Sequence, residues 1–192
     1  METYFPNVVL WDIATLRNVS KPLKGPLPLE YVKSISYLCK QLNGVYLSGI
    51  QVGDARRFAI PATDNELPVI YNPEIISVDK HVKSDEGCLS FPGIYLKGIP
   101  RYRYVHFKYR DQDWVEHTTM AGNDNFFVKD ALLAVGIQHE VDHMDGKLFF
   151  DNLPSKLRIK TLAQVHSNYL KVPAGKRVKL QEGPIELELP SN

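Results

Sequence analysis

Cysteine is scarce in this chain: only Cys39 and Cys88 occur among 192 residues. Two thiols make no disulfide framework, so the fold must rest on an apolar core, and a reducing compartment suits it. Charge of either sign is equally short of an excess. A net charge of +1 gives no global attraction to nucleic acid or to an acidic membrane, so neither specific DNA binding nor a membrane partner is expected. No apolar run approaches the ~20 residues of a membrane span. Met1-Glu2-Thr3-Tyr4-Phe5-Pro6 lacks the basic start and apolar stretch of a secretory leader, and a cytoplasmic protein is expected. There are no internal repeats. What is present, 44% apolar and 23% charged residues, suffices for a single domain over 1–170 followed by a polar tail over 171–192.

Pro and Gly keep Lys21 to Pro28 out of regular structure. Leu29, Val32, Ile35, Leu38, Cys39 and Leu42 then recur at helical spacing, and Asn43-Gly44 closes the run. Cys39, on that stripe, reads as core. Strand-like pieces follow at Arg57 to Ile60, Val69 to Asn72 and Glu74 to Val78, the last two divided by Asn72-Pro73. From Arg101 to Arg110 the pattern runs through Tyr102 and Tyr104, then shifts phase to Val105, Phe107 and Tyr109, which predicts a bulged strand. Asp111-Gln112-Asp113 turns it into a partner from Trp114 to Thr118. A helix is expected from about Phe126, capped by Asp124 or Asn125, to about Met144, closed by Asp145-Gly146. A last helix runs from Ser155, read as its cap, to about Leu170. Strands in a run with helices set apart from them give an α+β fold. His81, His106 and His117 have no partner pattern and read as surface or packing residues.

The pentad His139-Glu140-Val141-Asp142-His143 lies on the expected helix. Residues four apart share a helix face, so both imidazoles can reach one metal ion, with Glu140 beside a water on that ion as a base. Two histidines on the polar face of an ordinary helix are the plainer alternative. A catalytic metal takes three protein ligands and keeps one position open. Downstream the chain offers no third: His166 is at the wrong spacing, and after Asp151 no acidic residue comes before Glu182. Upstream, Glu86-Gly87-Cys88-Leu89-Ser90 sets a lone cysteine beside a glycine, and its thiolate completes a Cys88, His139, His143 set.

With these motifs the chain resembles the peptide deformylases, which remove the formyl group from N-terminal formylmethionine of new polypeptides. Glu86 to Ser90 and Gln138 to His143 match the family's motifs outright. Gly44-Val45-Tyr46-Leu47-Ser48-Gly49-Ile50-Gln51 is similar to its Gly-apolar-Gly-apolar-Ala-Ala-x-Gln motif. The resemblance implies antiparallel sheets packed around a central helix carrying the pentad. It implies Glu140 as the proton shuttle, with the Gln51 side chain and the Leu89 backbone N–H holding the oxyanion. It pairs Glu86 with Arg101 near the site. It lays an extended formylmethionyl peptide along the first-motif strand, its methionine in an apolar pocket for which Val45, Tyr46, Leu132 and Gly136 are the candidates. Cys-His-His suits zinc and iron alike; the resemblance favours Fe²⁺, with Ni²⁺, Co²⁺ or Zn²⁺ able to substitute.

Departures cluster in the first motif, where Tyr46 replaces Gly and Ser48-Gly49 replaces Ala-Ala, and on the helix, where Gly136 replaces a bulkier residue. Tyr46 either narrows the groove or points away from it. Two other functions compete: a metallopeptidase using the same water chemistry, against which Cys88 argues, and a non-catalytic homologue that binds nascent peptides, against which Glu140 argues. Lys156, Arg158, Lys160, Lys171, Lys176, Arg177 and Lys179 make the C-terminal segment basic. Such a segment attracts phosphate backbones, and the resemblance makes it a ribosome contact; a solvated basic face is the alternative.

Overall fold

The computed structural model describes residues 7–63, 67–122, 129–151 and 153–173. Its elements are α1 (Ile13–Leu16), α2 (Leu29–Gln41), β1 (Tyr46–Ser48), a 3-10 turn (Gly49–Val52), β2 (Phe58–Pro61), β3 (Ile70–Gly87), β4 (Tyr95–Arg110), β5 (Glu116–Ala121), α3 (Lys129–Met144) and α4 (Ser155–Tyr169). The five strands form one antiparallel meander in chain order. With the helices packed against it, this is the α+β fold expected.

The sheet differs from the expected one in its two long strands. The pieces at Val69 to Asn72 and Glu74 to Val78 are one strand, β3, whose pairing with β4 jumps between Tyr71 and Glu74. Asn72 takes a φ of 49° there, and its side chain bonds both Leu23 N at 2.8 Å and Leu23 O at 2.9 Å. Pro73 therefore falls where the ladder is already broken, and its missing N–H costs no pairing. The phase shift expected in Arg101 to Arg110 is absent: Ile99, Arg101, Val105 and Phe107 are buried on one face, with Arg103 between them half-buried. Tyr102 and Tyr104 are on the outer face, Tyr102 against the His81 ring at 4.5 Å and Tyr104 beneath Lys80. The extra residue sits on β3, between Ile75 and Ser77. The hairpin's second strand starts at Glu116 rather than Trp114, which adopts a φ of 65° in the turn and packs on Tyr71.

Helix α2 buries Tyr31, Val32, Ile35, Ser36 and Cys39 against β1 and β2. Leu29 and Leu42, the ends of the expected stripe, are exposed. Asn43, at φ 55°, ends the helix, and Gly44 N–H returns to Cys39 O at 2.9 Å. Helix α3 turns Ala134, Ile137, Val141 and Met144 into the core, with Val105, Phe107 and Ala121 of the sheet. Spacings of three and four put Leu132, Gly136, Glu140 and His143 on the other side. Its start and the caps expected at Asp124 or Asn125 lie outside the described residues. It stops at Gly146, φ 71°, whose N–H bonds His143 O at 3.1 Å. Helix α4 has Pro154 as its N-cap, with no side-chain cap bond, so Ser155 is its first residue and not its cap. The tail expected from 171 lies outside the described residues from 174 onward.

Candidate active site

Strand β3 ends at Gly87 and delivers Glu86 and Cys88 against the second half of α3. Cys88 Sγ lies 3.2 Å from Nε2 of His143. One ligand atom from each of Cys88, His139 and His143 falls within 4.8 Å of the other two. The imidazoles meet edge to face, centroids 4.9 Å apart. One sulfur and two ring nitrogens converging this closely are a donor set that would suit a single divalent ion such as zinc or iron.

The surroundings agree with a cation at that point. Burial lowers the His139 imidazole, but Cys88 and Glu86 more than offset it, so the ring is raised above its ordinary value. A field that favours an imidazolium also favours a metal cation. His143 is pushed the other way by burial and by His139, which keeps it neutral as a ligand must be. Glu140 is raised chiefly by burial, with His139 and the hydroxyl and amide of Ser48 pulling it down. Its Oε2, like His143 Nδ1, is buried without a hydrogen-bond partner among the described residues. A buried carboxylate oxygen without a partner is costly, and here it sits beside the three converging donors.

Behind His139 stands a buried charge network. Glu86 Oε2 lies 2.9 Å from His139 Nδ1, which leaves Nε2 as the available ring nitrogen. Arg101 grips both oxygens of Glu86, Nε at 2.7 Å and Nη2 at 2.9 Å, and its Nη1 reaches Asp142 Oδ2 at 2.6 Å. Burial would raise Glu86, but Arg101 and His139 outweigh it and hold the carboxyl at about 2. Glu86 and Arg101 are thus paired in the geometry, each only 5% exposed. Asp142, inside the pentad, is the member that pattern reading passes over.

The first motif enters through β1 and the 3-10 turn. Gln51 Oε1 accepts from both N and Oγ of Ser48 at 2.9 Å, so Nε2 is aimed at Cys88 Sγ, 3.4 Å away. Gly49 is required here: an added Cβ would lie 2.4 Å from Arg56 O. Gly44 is less constrained, because a Cβ there would meet side-chain ends, Leu89 Cδ1 at 2.6 Å and Cys39 Sγ at 2.9 Å, that can shift. The Leu89 side chain packs on the cluster that holds Val32, Ile35 and Cys39 of α2.

A cavity of about 1210 Å³ opens in front of these groups. Val45, Tyr46, Leu132 and Gly136 all line it, together with His139 and Glu140. It also reaches Val8, Leu10, Leu38 and Leu42, none of which the sequence assigns to the site. Tyr46 does not cross the opening: its ring is buried between β1 and α3, and its hydroxyl donates to Pro68 O at 3.0 Å.

The polypeptide deformylase family model matches residues 6–158, a span that holds every residue of the site. The chain belongs to the peptide deformylase family. It is 38% identical over 174 residues to the peptide deformylase of Helicobacter hepaticus, covering 81% of this chain and 91% of that one. The Chlorobium phaeobacteroides peptide deformylase is 31% identical over 167 residues, with 82% and 84% covered. Among solved structures, the peptide deformylase of Thermus thermophilus superposes with a TM-score of 0.75 at 25% identity, over 88% of this chain and 96% of that one. The Plasmodium falciparum peptide deformylase, solved with an inhibitor, gives 0.70 at 25% identity over 86% and 100%. Membership makes the chain a metal-dependent deformylase, and neither the peptidase nor the non-catalytic reading finds support in these matches. No helix among the described residues is long and apolar enough to cross a membrane.

Proposed function

We propose that Cys88, His139 and His143 hold one divalent ion and that Glu140, Gln51 and Leu89 act around it to hydrolyse the formyl amide of N-formylmethionyl peptides. The convergence of the three donors beside a buried, unpartnered Glu140 oxygen is the observation that carries this reading. When bound, the ion supplies a Lewis acid that acidifies water and polarises the formyl carbonyl. Glu140 takes a proton from the attacking water and passes it to the departing amine, so the C–N bond breaks to formate and a free N-terminus. Its raised pKa suits both halves of that transfer. Gln51 Nε2 and the Leu89 N–H donate to the oxygen on which negative charge develops. Glu86, locked by Arg101, fixes the tautomer and orientation of His139.

The peptide lies extended along β1, its methionine side chain in the cavity lined by Val45, Tyr46, Leu132 and Gly136. Fe²⁺ is the ion in the cell, with Zn²⁺, Ni²⁺ or Co²⁺ able to replace it. The enzyme works in the cytoplasm as one domain over 1–170 with a polar tail, and its basic C-terminal segment meets the ribosome where new chains emerge. The test is formate release from formyl-Met peptides, measured beside cleavage of the same peptides without the formyl group. Formate from the first and no cleavage of the second is expected. The reverse pattern would make the protein a peptidase.

A further inference from the structure

Gly136 sits in the middle of α3, where glycine costs about 1 kcal/mol relative to alanine. Its φ is not in the left-handed region, so the backbone does not demand glycine. The space around it does. A Cβ built at Gly136 would stand 3.4 Å from Cδ2 and 3.7 Å from Cε2 of Tyr46, and beyond the helix's own backbone no other neighbour among the described residues lies inside 4 Å. A methyl group just fits there, and a further carbon on the ring's side has no room. The ring in turn is fixed: it is 4% exposed, packed with Ala134 and Ile137, and its hydroxyl is tied to Pro68 O at 3.0 Å. Swinging it aside would break a buried hydrogen bond and open a void.

Both residues also line the cavity, and Gly136 stands one helical turn before Glu140 and three residues before His139. We infer that Tyr46 and Gly136 are a matched pair that sets the size of the side chain admitted at the first residue of the substrate, the ring standing in for the side chain that α3 lacks. This inference rests on the deformylase reading. The pair makes each residue's effect depend on the other. A branched side chain at 136 must displace the ring into the cavity; removing the ring deepens the cavity unless position 136 is filled.

The experiment is a double-mutant cycle with Tyr46→Ala, Gly136→Val and the combination, reading kcat/KM for formyl peptides that begin with Ala, Met or Phe. Tyr46→Ala should shift the Phe-to-Ala preference upward by about tenfold, and Gly136→Val should shift it downward by a similar factor. The combined variant should return to within about threefold of wild type, since the valine fills what the ring vacates. Shifts that simply multiply in the combined variant would overturn the inference, as would a single variant whose preference is unchanged. Should either single variant fail to fold, Tyr46→Leu or Gly136→Ser, whose hydroxyl adds one atom beyond the methyl that fits, carries the same comparison with a smaller shift in the same direction. Absence of formate from wild type and all variants would instead overturn the deformylase reading, so the two failures are distinguishable.

Discussion

Glu86 Oε2 lies 2.9 Å from Nδ1 of His139, so the carboxylate next to the cysteine loop governs the orientation of a histidine on a distant helix. Arg101 keeps that carboxylate ionised, and the resulting depression to about 2 has a readable sign. A carboxyl whose folded value lies below its ordinary 4.5 contributes stability that is complete above 4.5 and is lost as pH falls toward about 2. Glu86→Gln should therefore unfold more easily than wild type in urea at about pH 6, and the gap should close as the solution is acidified through that window. The same variant should bind metal about 10- to 100-fold more weakly in a chelator competition. A gap that does not change with pH, together with undiminished metal affinity, would detach Glu86 from both roles.

Glu140→Gln keeps the size of the side chain but cannot accept a proton. Formate release should fall by at least about a hundredfold while metal content stays at the wild-type level. A near-normal rate in a metal-replete variant would move the proton transfer to another group.

Ser48 donates twice to Gln51 Oε1, once from its hydroxyl and once from its backbone. Ser48→Ala leaves only the backbone bond and also removes the hydroxyl's pull on Glu140, so the Gln51 amide is held less firmly toward Cys88 and the Glu140 carboxyl is raised further. One neutral hydrogen bond corresponds to a loss of roughly two- to tenfold in kcat, with KM little changed. A change in KM alone would mean that Ser48 serves substrate binding and not the orientation of Gln51.

The meeting of Cys88, His139 and His143 was legible in the sequence because two histidines four apart define a helix face, and because so few cysteines left one candidate. Paired ends of long strands were not legible. Residues 79–87 carry Asp79, Lys80, His81, Lys83 and Asp85, and a strand this exposed shows none of the apolar alternation by which strands are recognised. Tyr102 and Tyr104 misled for the opposite reason: aromatic rings on an outer face imitate an inward one. The Arg101–Asp142 contact joins β4 to α3 and depends on their packing, which no local pattern encodes. The orientation of Tyr46 was likewise open until β1 was placed against α3.

Lys156, Arg158 and Lys160 are exposed on α4, while Thr161 and Val165 anchor the same helix to the core. Charge reversal at the three basic positions therefore tests ribosome contact without removing the helix. Co-sedimentation with ribosomes should weaken in the variant, and that of wild type should fall steeply with added salt. Unchanged binding by the folded variant would leave the segment as solvated surface.

The most direct measurement of the whole account is elemental analysis of purified wild type beside Cys88→Ala. Three ligands converging from β3 and α3 predict about one equivalent of divalent metal per wild-type chain and far less in the variant, because two histidines alone do not close the site. A full equivalent of tightly held metal in Cys88→Ala would contradict the assignment of Cys88 as a ligand, and with it the centre on which the proposed hydrolysis depends.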